Sequence, residues 1–529
     1  MTLPASLRRA RLAVAGAVAI LVLQACGGGG GSDSGSSTPP PSGTGSASFA
    51  QQCSPSNLEA AAGLRTASLT TEKNWVRAYM DEAYLWRDEV PNVDPSAAQY
   101  SGSDVGTALD AYFTALRTPA RTASNKAKDE FSFMMSTREW NALSDSGVTL
   151  GYGIEWHLQS ATPPRQIQVA YVEPNSPAAA AGVRRGDTLV TADAVSADDP
   201  TASGVGTLNE ALFPSRAATS HRLVLTPNGG GTRDVTLVAT NVTKTPVLQT
   251  QVITAADNAK VGYMVFNDHV APAEAQLITA MQNFKNQGVS DLVLDLRYNG
   301  GGYLFIASEL AYMIAGPDAT TGKTFEQLRY NSRRTSDNSS SASKTDFYTT
   351  SCILVNGRCS NQSQQLPTLN LKRVFVLAQE GTCSASEAII NGLRGVDVQV
   401  VMMGGTTCGK PYGFTGKDNC GYSYFPIEFV GTNNKGFGDY ADGFVAGGTG
   451  PTGVPGCAVT DDFTRQLGDT SERMLAAALQ YRANGTCPVK ATGSSNRATA
   501  LSARSSSDSV ALSLQRLAAR SNRILGGRP

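Results

Sequence analysis

Two residues of this 529-residue chain have the types and setting for nucleophilic chemistry, Ser384 and Lys410. Arg373-Val374-Phe375-Val376-Leu377 is a short apolar run of the buried-strand kind, and after Gly381 the residues Ile389, Ile390 and Leu393 recur at helical spacing. Ser384 is therefore expected where a strand turns into a helix. A hydroxyl there lies beside free backbone N–H groups and the positive end of the helix dipole, with the Ala385 amide as one donor to a developing oxyanion. A second strand, Val398 to Met403, leads into Gly404-Gly405-Thr406-Thr407-Cys408-Gly409-Lys410, which puts the lysine on a glycine-bearing loop leaving a neighbouring strand. A serine hydroxyl is a weak nucleophile until a base takes its proton, and a lysine amine does this only when neutral. From a reference pKa of about 10.4, working near neutrality needs a depression of roughly three units, about 4 kcal/mol, for which burial among apolar and glycine residues is the expected means. On spacing alone, a helix-capping serine and an ordinary surface lysine are the alternative.

Ser384-Ala385-Ser386-Glu387 followed by Gly404 to Lys410 resembles the Ser-Ala-Ser-Glu and Gly-Lys signatures of the C-terminal processing, or tail-specific, serine peptidases. Upstream, Val293-Leu294-Asp295-Leu296-Arg297-Tyr298-Asn299-Gly300-Gly301-Gly302 is similar to that family's strand and glycine turn. The three motifs stand in family order, and the resemblance covers roughly residues 70 to 487. It implies Ser384 as nucleophile, Lys410 as general base, and the Ala385 amide with that of Gly301 or Gly302 as the oxyanion hole. Many members of the family place a glutamine four residues after the lysine. This chain has Phe414 there, which leaves open what orients Lys410.

With 41% apolar and 17% charged residues the chain can bury more than one core, and its 44 basic residues balance 44 acidic ones, so nothing points to nucleic acid. Arg8, Arg9 and Arg11 precede an apolar run from Leu12 to Leu23 that ends in Leu23-Gln24-Ala25-Cys26, the pattern of a secretory signal. The ending resembles a bacterial lipobox, with residues 1–25 removed and Cys26 lipid-modified. That implies attachment to a membrane through a lipid and a place in the cell envelope, with Gly27 pointing to the outer membrane facing the periplasm. The other eight of the nine cysteines then suit an oxidising compartment. Cys352 with Cys359, Cys408 with Cys420 and Cys457 with Cys487 are the expected pairs, one connectivity among many.

The expected fold class is mixed α/β. Residues 26–49, mostly Gly, Ser, Thr and Pro, read as a flexible tether, and 50–145 as a helical domain with Trp75, Tyr79, Met80, Tyr84 and Leu85 on one stripe. Residues 146–245 contain the glycine-bearing stretch Leu150-Gly151-Tyr152-Gly153, alternating strands, and a short helix from Asn175-Ser176-Pro177 capped by Gly182. Their order resembles a PDZ domain, whose loop amides hold a carboxyl terminus. Residues 246–488 alternate strands and helices, by resemblance a crotonase-like ββα core, with a polar insertion at 330–366 and a last helix from Asp469 to Tyr481. The Ser- and Arg-rich stretch 489–529 reads as a disordered tail.

The order His269, Asp295, Ser384 imitates a catalytic triad, but a triad is defined by geometry, and Asp295-Leu296-Arg297 reads better as an internal ion pair. Cys383 beside Ser384 invites a thiol reading without any placed base. No His-x-x-x-His or Cys-x-x-Cys spacing offers a metal site, and no cofactor is implied. The expected function is a serine endopeptidase acting through Ser384 and Lys410 on protein or peptide substrates, such as envelope proteins or unfolded chains held by the PDZ-like module. The alternative is a non-catalytic peptide- or ligand-binding lipoprotein on the same fold. Oligomeric state is not legible.

Overall fold

The computed structural model describes residues 45–355, 358–359, 363–488 and 522–524. Cys26 and the expected signal lie outside the described residues, as does most of the expected tether.

The scaffold of the larger part is a six-stranded sheet in the order Val247–Thr254, Lys260–Phe266, Asp291–Asp295, Arg373–Ala378, Gln399–Gly404 and Gly456–Ala458. Its first pair is antiparallel and the rest are parallel. Parallel strands covered on both faces need apolar side chains at every position, which is why Leu292-Val293-Leu294 and Val374-Phe375-Val376-Leu377 are continuous runs rather than alternations. Leu292, Leu294, Val374, Val376 and Met402 pack to one side with the helices Ala273–Asn286, Leu304–Ala315 and Ala385–Gly395. Val293, Phe375, Leu377, Val401 and Met403 pack to the other with Met474, Leu475 and Ala478 of the helix Arg473–Asn484. That last helix begins four residues later than the sequence pattern implies, because Glu472 caps it, accepting from the amides of Met474 and Leu475.

The carboxyl ends of three adjacent strands align: Asp295 opposes Leu377, Leu377 opposes Met403, and Ala378 opposes Gly404. The chain leaves this edge three times, toward Gly302, Ser384 and Lys410. This is the edge at which open α/β sheets place their ligand sites.

The amino-terminal helices Leu69–Ala83 and Val105–Ala115 start at Ser68 and Asp104, whose side chains accept the amides of Thr71 and Thr107. These helices share their core with the sheet. Trp75 stacks on Tyr79 and meets Tyr424 at 5.0 Å, so the aromatic stripe belongs to the same core as the sheet. Phe133–Ser136 pairs with Tyr422–Phe425, and Cys53 is bonded to Cys420. The expected tether also ends early, because Ser46–Phe49 forms a 3₁₀ turn whose Ser46 amide and hydroxyl donate to Glu82 at 2.7 and 2.6 Å.

Between these parts lies a small module with its own core, including Trp156, Val169, Leu189, Leu208 and Leu223. Its sheet runs Ile154–Leu158, Ile167–Val172, Thr188–Ala192, Ser220–Thr226, Arg233–Val238, with helices Pro177–Ala180 and Ala202–Leu212. Ser176 caps the first helix at the Ala179 amide. Leu150 and Gly151 are not loop, as the sequence implied, but the end of strand Val148–Gly151, paired with Thr240–Thr243. The polar insertion is likewise no loose loop. Lys344–Asp346 joins a sheet with Thr324–Tyr330, Phe429–Thr432 and Tyr412–Gly413.

Among the described residues four disulfides are formed: Cys53–Cys420, Cys352–Cys359, Cys383–Cys408 and Cys457–Cys487. The expected Cys408–Cys420 pair is wrong. Cys408 lies in the loop beside the Ser384 turn and meets Cys383, while Cys420 faces the amino-terminal segment. Peptide mapping without reduction is expected to recover these four linkages, and a peptide joining Cys408 to Cys420 would contradict the structure.

Candidate active site

The Ser384 turn and the Lys410 loop are held together by the carboxylate of Glu387, three residues into the Ser-x-x-Glu box. Its Oε2 accepts the amide of Ser384 at 2.9 Å and that of Lys410 at 2.8 Å, and its Oε1 accepts the Thr407 hydroxyl at 2.6 Å and the Gly409 amide at 2.9 Å. Burial pushes the Glu387 carboxyl above its usual range, while Thr407 and the amides of Lys410, Ser384 and Gly409 pull it back. The Cys383–Cys408 disulfide is a second tie between the same turn and loop. It removes Cys383 as a thiol nucleophile. It also removes both sulfurs as metal ligands, although they lie together with Glu387.

Ser384 has φ 61° and ψ −112°, a left-handed conformation that costs a non-glycine residue of order 1–3 kcal/mol. The turn is fixed on both sides: the Cys383 amide donates to Asn299 O at 3.1 Å, and the Ser386 hydroxyl donates to the same carbonyl at 3.1 Å. Helix Ala385–Gly395 starts at once, so the Ala385 amide lies in its first turn, where backbone N–H groups have no intrahelical acceptor. Gly409 has φ +88°, and a Cβ there would sit 2.2 Å from Ala441 O, so the lysine loop needs glycine at that point.

Lys410 is fully buried. Its Nζ lies 4.4 Å from the centre of the Phe414 ring and 5.0 Å from that of Phe131. Phe414 in turn packs edge-on to Phe133 at 5.6 Å and against Phe425 at 5.4 Å. Phe414 is thus one wall of an aromatic lining around the buried lysine head.

The glycine turn is built on Asn299. Its Oδ1 accepts the Gly301 amide at 2.9 Å, and its Nδ2 donates to Phe266 O at 2.9 Å. The Gly301 amide is thereby engaged internally, which corrects its place among the oxyanion donors. The Gly301 carbonyl accepts the His269 amide at 3.1 Å, and the Tyr303 amide donates to the His269 carbonyl at 2.8 Å. Those groups face His269, so in extended backbone the intervening Gly302 amide faces the opposite side. A Cβ on Gly302 would meet the His269 carbonyl at 2.5 Å.

The imitation triad is not assembled. His269 Nδ1 lies 3.0 Å from Asn299 Oδ1, and burial lowers its pKa to about 3. Asp295 is occupied by the Tyr263 hydroxyl at 2.8 Å and by Arg297 at 2.9 and 2.8 Å. Arg297 also reaches Glu472 and Asp461, and Asp461 binds Arg185 of the small module at 2.6 Å. Burial alone would push the Asp461 carboxyl up, but the guanidiniums of Arg297 and Arg185 more than offset it and hold it well below the usual carboxylate range.

Residues 260–415 match the family model for peptidase family S41, and residues 71–133 match that for the peptidase S41 N-terminal domain. The chain carries the domains of peptidase family S41. Ser384 and Lys410 both fall within the S41 match. The chain is 25% identical over 185 residues to a carboxyl-terminal-processing protease of Picosynechococcus sp., covering 35% of this chain and 43% of that one. It is 29% identical over 182 residues to a chloroplastic C-terminal processing peptidase of Tetradesmus obliquus, covering 32% and 38%. A carboxyl-terminal-processing protease of Synechocystis sp. is 24% identical over 271 residues, covering 51% and 54%. The chain thus spans about half the length of these curated relatives. Among solved structures, a Bacteroides fragilis protein assigned to the S41 proteases shares the fold at TM-score 0.54 and 21% identity, over 78% of this chain and 97% of that one.

Glu387, Asn299 and Thr407 were not among the residues singled out from the sequence. Glu387 was the one with a local signal, since Ser-x-x-Glu before an apolar helix is a capping box. Replacing Glu387 with alanine leaves three buried amides and a hydroxyl unsatisfied, at about 1–3 kcal/mol each before relaxation. A fall in Tm large enough to show in any thermal melt is expected for this variant. For His269, the folded state keeps the ring neutral while the unfolded chain protonates near pH 6.5. Stability from this group is therefore complete above about pH 6.5 and lost as pH falls toward 3, at about 1.4 kcal/mol per unit. Denaturant titrations should give a shallower acid slope for His269→Asn over that window.

Proposed function

We propose that the chain is a serine endopeptidase of the C-terminal processing type, with Ser384 as nucleophile, Lys410 as general base, and the Ala385 and Gly302 amides as oxyanion donors. The observation that carries this reading is that one oxygen, Glu387 Oε2, accepts the backbone amides of both Ser384 and Lys410. A carboxylate that joins those two positions serves a site in which the side chains work as a pair. In the proposed cycle Lys410 takes the Ser384 proton as the hydroxyl attacks a peptide carbonyl. It then gives that proton to the departing amine and repeats the relay with water to release the acyl group. Lys410 Nζ is buried beside the rings of Phe131 and Phe414, next to the turn that carries Ser384.

The small module supports a further part of the reading, capture of a peptide. Ile154–Leu158 is the edge strand of its sheet, and Gly151 and Gly153, at φ +153° and +79°, flank Tyr152 just before it. A PDZ-like module uses such an edge to add a substrate strand, and Leu150, Gly151, Tyr152 and Gly153 are the proposed peptide-holding turn. Four disulfides support an oxidising compartment. With lipid attachment at Cys26 as the anchor, the proposed setting is the cell envelope, at the outer membrane facing the periplasm. Among the described residues no helix is long and apolar enough to cross a membrane.

Ser384→Ala and Lys410→Ala are each expected to lower casein hydrolysis by at least about 1,000-fold with unchanged circular dichroism. Wild-type rates in both variants would reject the pair. A wild type that binds peptide but cleaves none would reject the peptidase and leave a binding protein.

A further inference from the structure

A segment remote in sequence lies on the proposed oxyanion strand. Asn522–Ile524 pairs in parallel with Gly301–Tyr303, in the register Gly301 to Asn522, Gly302 to Arg523 and Tyr303 to Ile524. The same short strand runs beside Tyr412–Gly413, just past Lys410, and beside the helix that follows Ser384. Three elements of the site thus surround one stretch of backbone from the same chain. This corrects the expectation that 489–529 is disordered throughout.

The register says which group of that backbone meets which donor. The Gly301 carbonyl and the Tyr303 amide are taken by His269, so Gly302 is the residue whose amide and carbonyl turn toward the added strand. In a parallel ladder, a residue facing its partner strand donates to the carbonyl of the residue before its opposite number and accepts from the amide of the residue after it. Opposite Arg523, the Gly302 amide therefore meets the Asn522 carbonyl, and the Gly302 carbonyl meets the Ile524 amide. The Gly302 amide is the one assigned above to the oxyanion hole. The backbone carbonyl of Asn522 consequently occupies the place of a substrate carbonyl.

Resting on the peptidase reading, we propose that the chain is its own first substrate and that the bond cleaved is Asn522–Arg523. The Ser384 oxygen bonds to the Asn522 carbonyl carbon and its proton passes to Lys410. The C–N bond to Arg523 breaks, and its nitrogen takes that proton to leave as an amine. Water then splits the Asn522 ester, leaving a carboxylate at Asn522 and a free Ser384 hydroxyl. Hydrolysis consumes one water and needs no other reactant.

The test is intact-mass analysis of the purified full chain over time, with casein hydrolysis measured in parallel. The wild type is expected to lose everything after Asn522 at a rate independent of protein concentration, while Ser384→Ala keeps its full mass. Arg523→Pro is the second variant. The Arg523 amide makes no bond in this ladder, so proline leaves the pairing intact but converts the cleaved bond to a tertiary amide, and tail loss is expected to slow at least tenfold. Three results would overturn the proposal: a wild type that cleaves casein yet retains its tail, cleavage at another bond, or loss that scales with protein concentration. The first leaves the peptidase reading standing. Absence of both casein cleavage and Ser384-dependent tail loss would overturn the peptidase reading itself.

Discussion

The site depends on a buried carboxylate that is almost fully spoken for. Glu387 accepts from three backbone amides and one hydroxyl, and these come from two loops that leave different strands. An ionised carboxylate in a dry interior is tolerable only when its lone pairs are filled, and here every filling donor belongs to the Ser384 turn or the Lys410 loop. The need to satisfy one charge thereby becomes a constraint on the relative placement of two loops. It also explains how Ser384 can hold a left-handed backbone. The strain is opposed by the bond from its own amide to Glu387 and by the anchoring of Cys383 on either side of its backbone, to Asn299 and to Cys408.

Asn299 extends the same logic to the third loop. Its side chain engages the Gly301 amide while its carbonyl receives Cys383 and Ser386, so the glycine turn and the serine turn share a residue. Behind them the buried Arg297 gathers Asp295, Asp461 and Glu472, and Asp461 passes on to Arg185 of the small module. Breaking such a cluster by removing one partner exposes uncompensated buried charge, so the module is joined to the sheet by an arrangement that favours remaining whole.

Much of this was legible because the relevant signals are local. Continuous apolar runs at 292–294 and 374–377 announce strands covered on both faces, and the glycine-rich ends of these strands announce sharp turns. The Asp-Leu-Arg neighbourhood of the imitation triad was correctly resolved in favour of an ion pair, since Asp295 needs a buried partner and Arg297 is two residues away. What was not legible rests on contacts between distant segments. Nothing near Cys408 distinguishes Cys383 from Cys420 as its partner, and nothing in the stripe Trp75, Tyr79, Met80 says that it faces Tyr424 rather than a core of its own. Phe414 shows the same limit. A phenylalanine four residues after the lysine was visible, but that its ring would face the lysine amine was not. A strand formed by Asn522–Ile524 within a polar, arginine-rich stretch has no local pattern at all, because its partner supplies the reason for its extension.

The alignment of three neighbouring strand ends has a consequence for how such proteins diverge. Across a sheet, adjacent strands are about 4.8 Å apart however many residues separate them along the chain. The stretch between the glycine turn and the serine turn can therefore accept whole extra elements, as the sheet around Thr324–Tyr330 and the Cys352–Cys359 hairpin illustrate, without altering the reach from one loop to the next. Gaps between motifs are free to drift among descendants of one ancestor, whereas the sequence in which the motifs occur and the strand that launches each one are not.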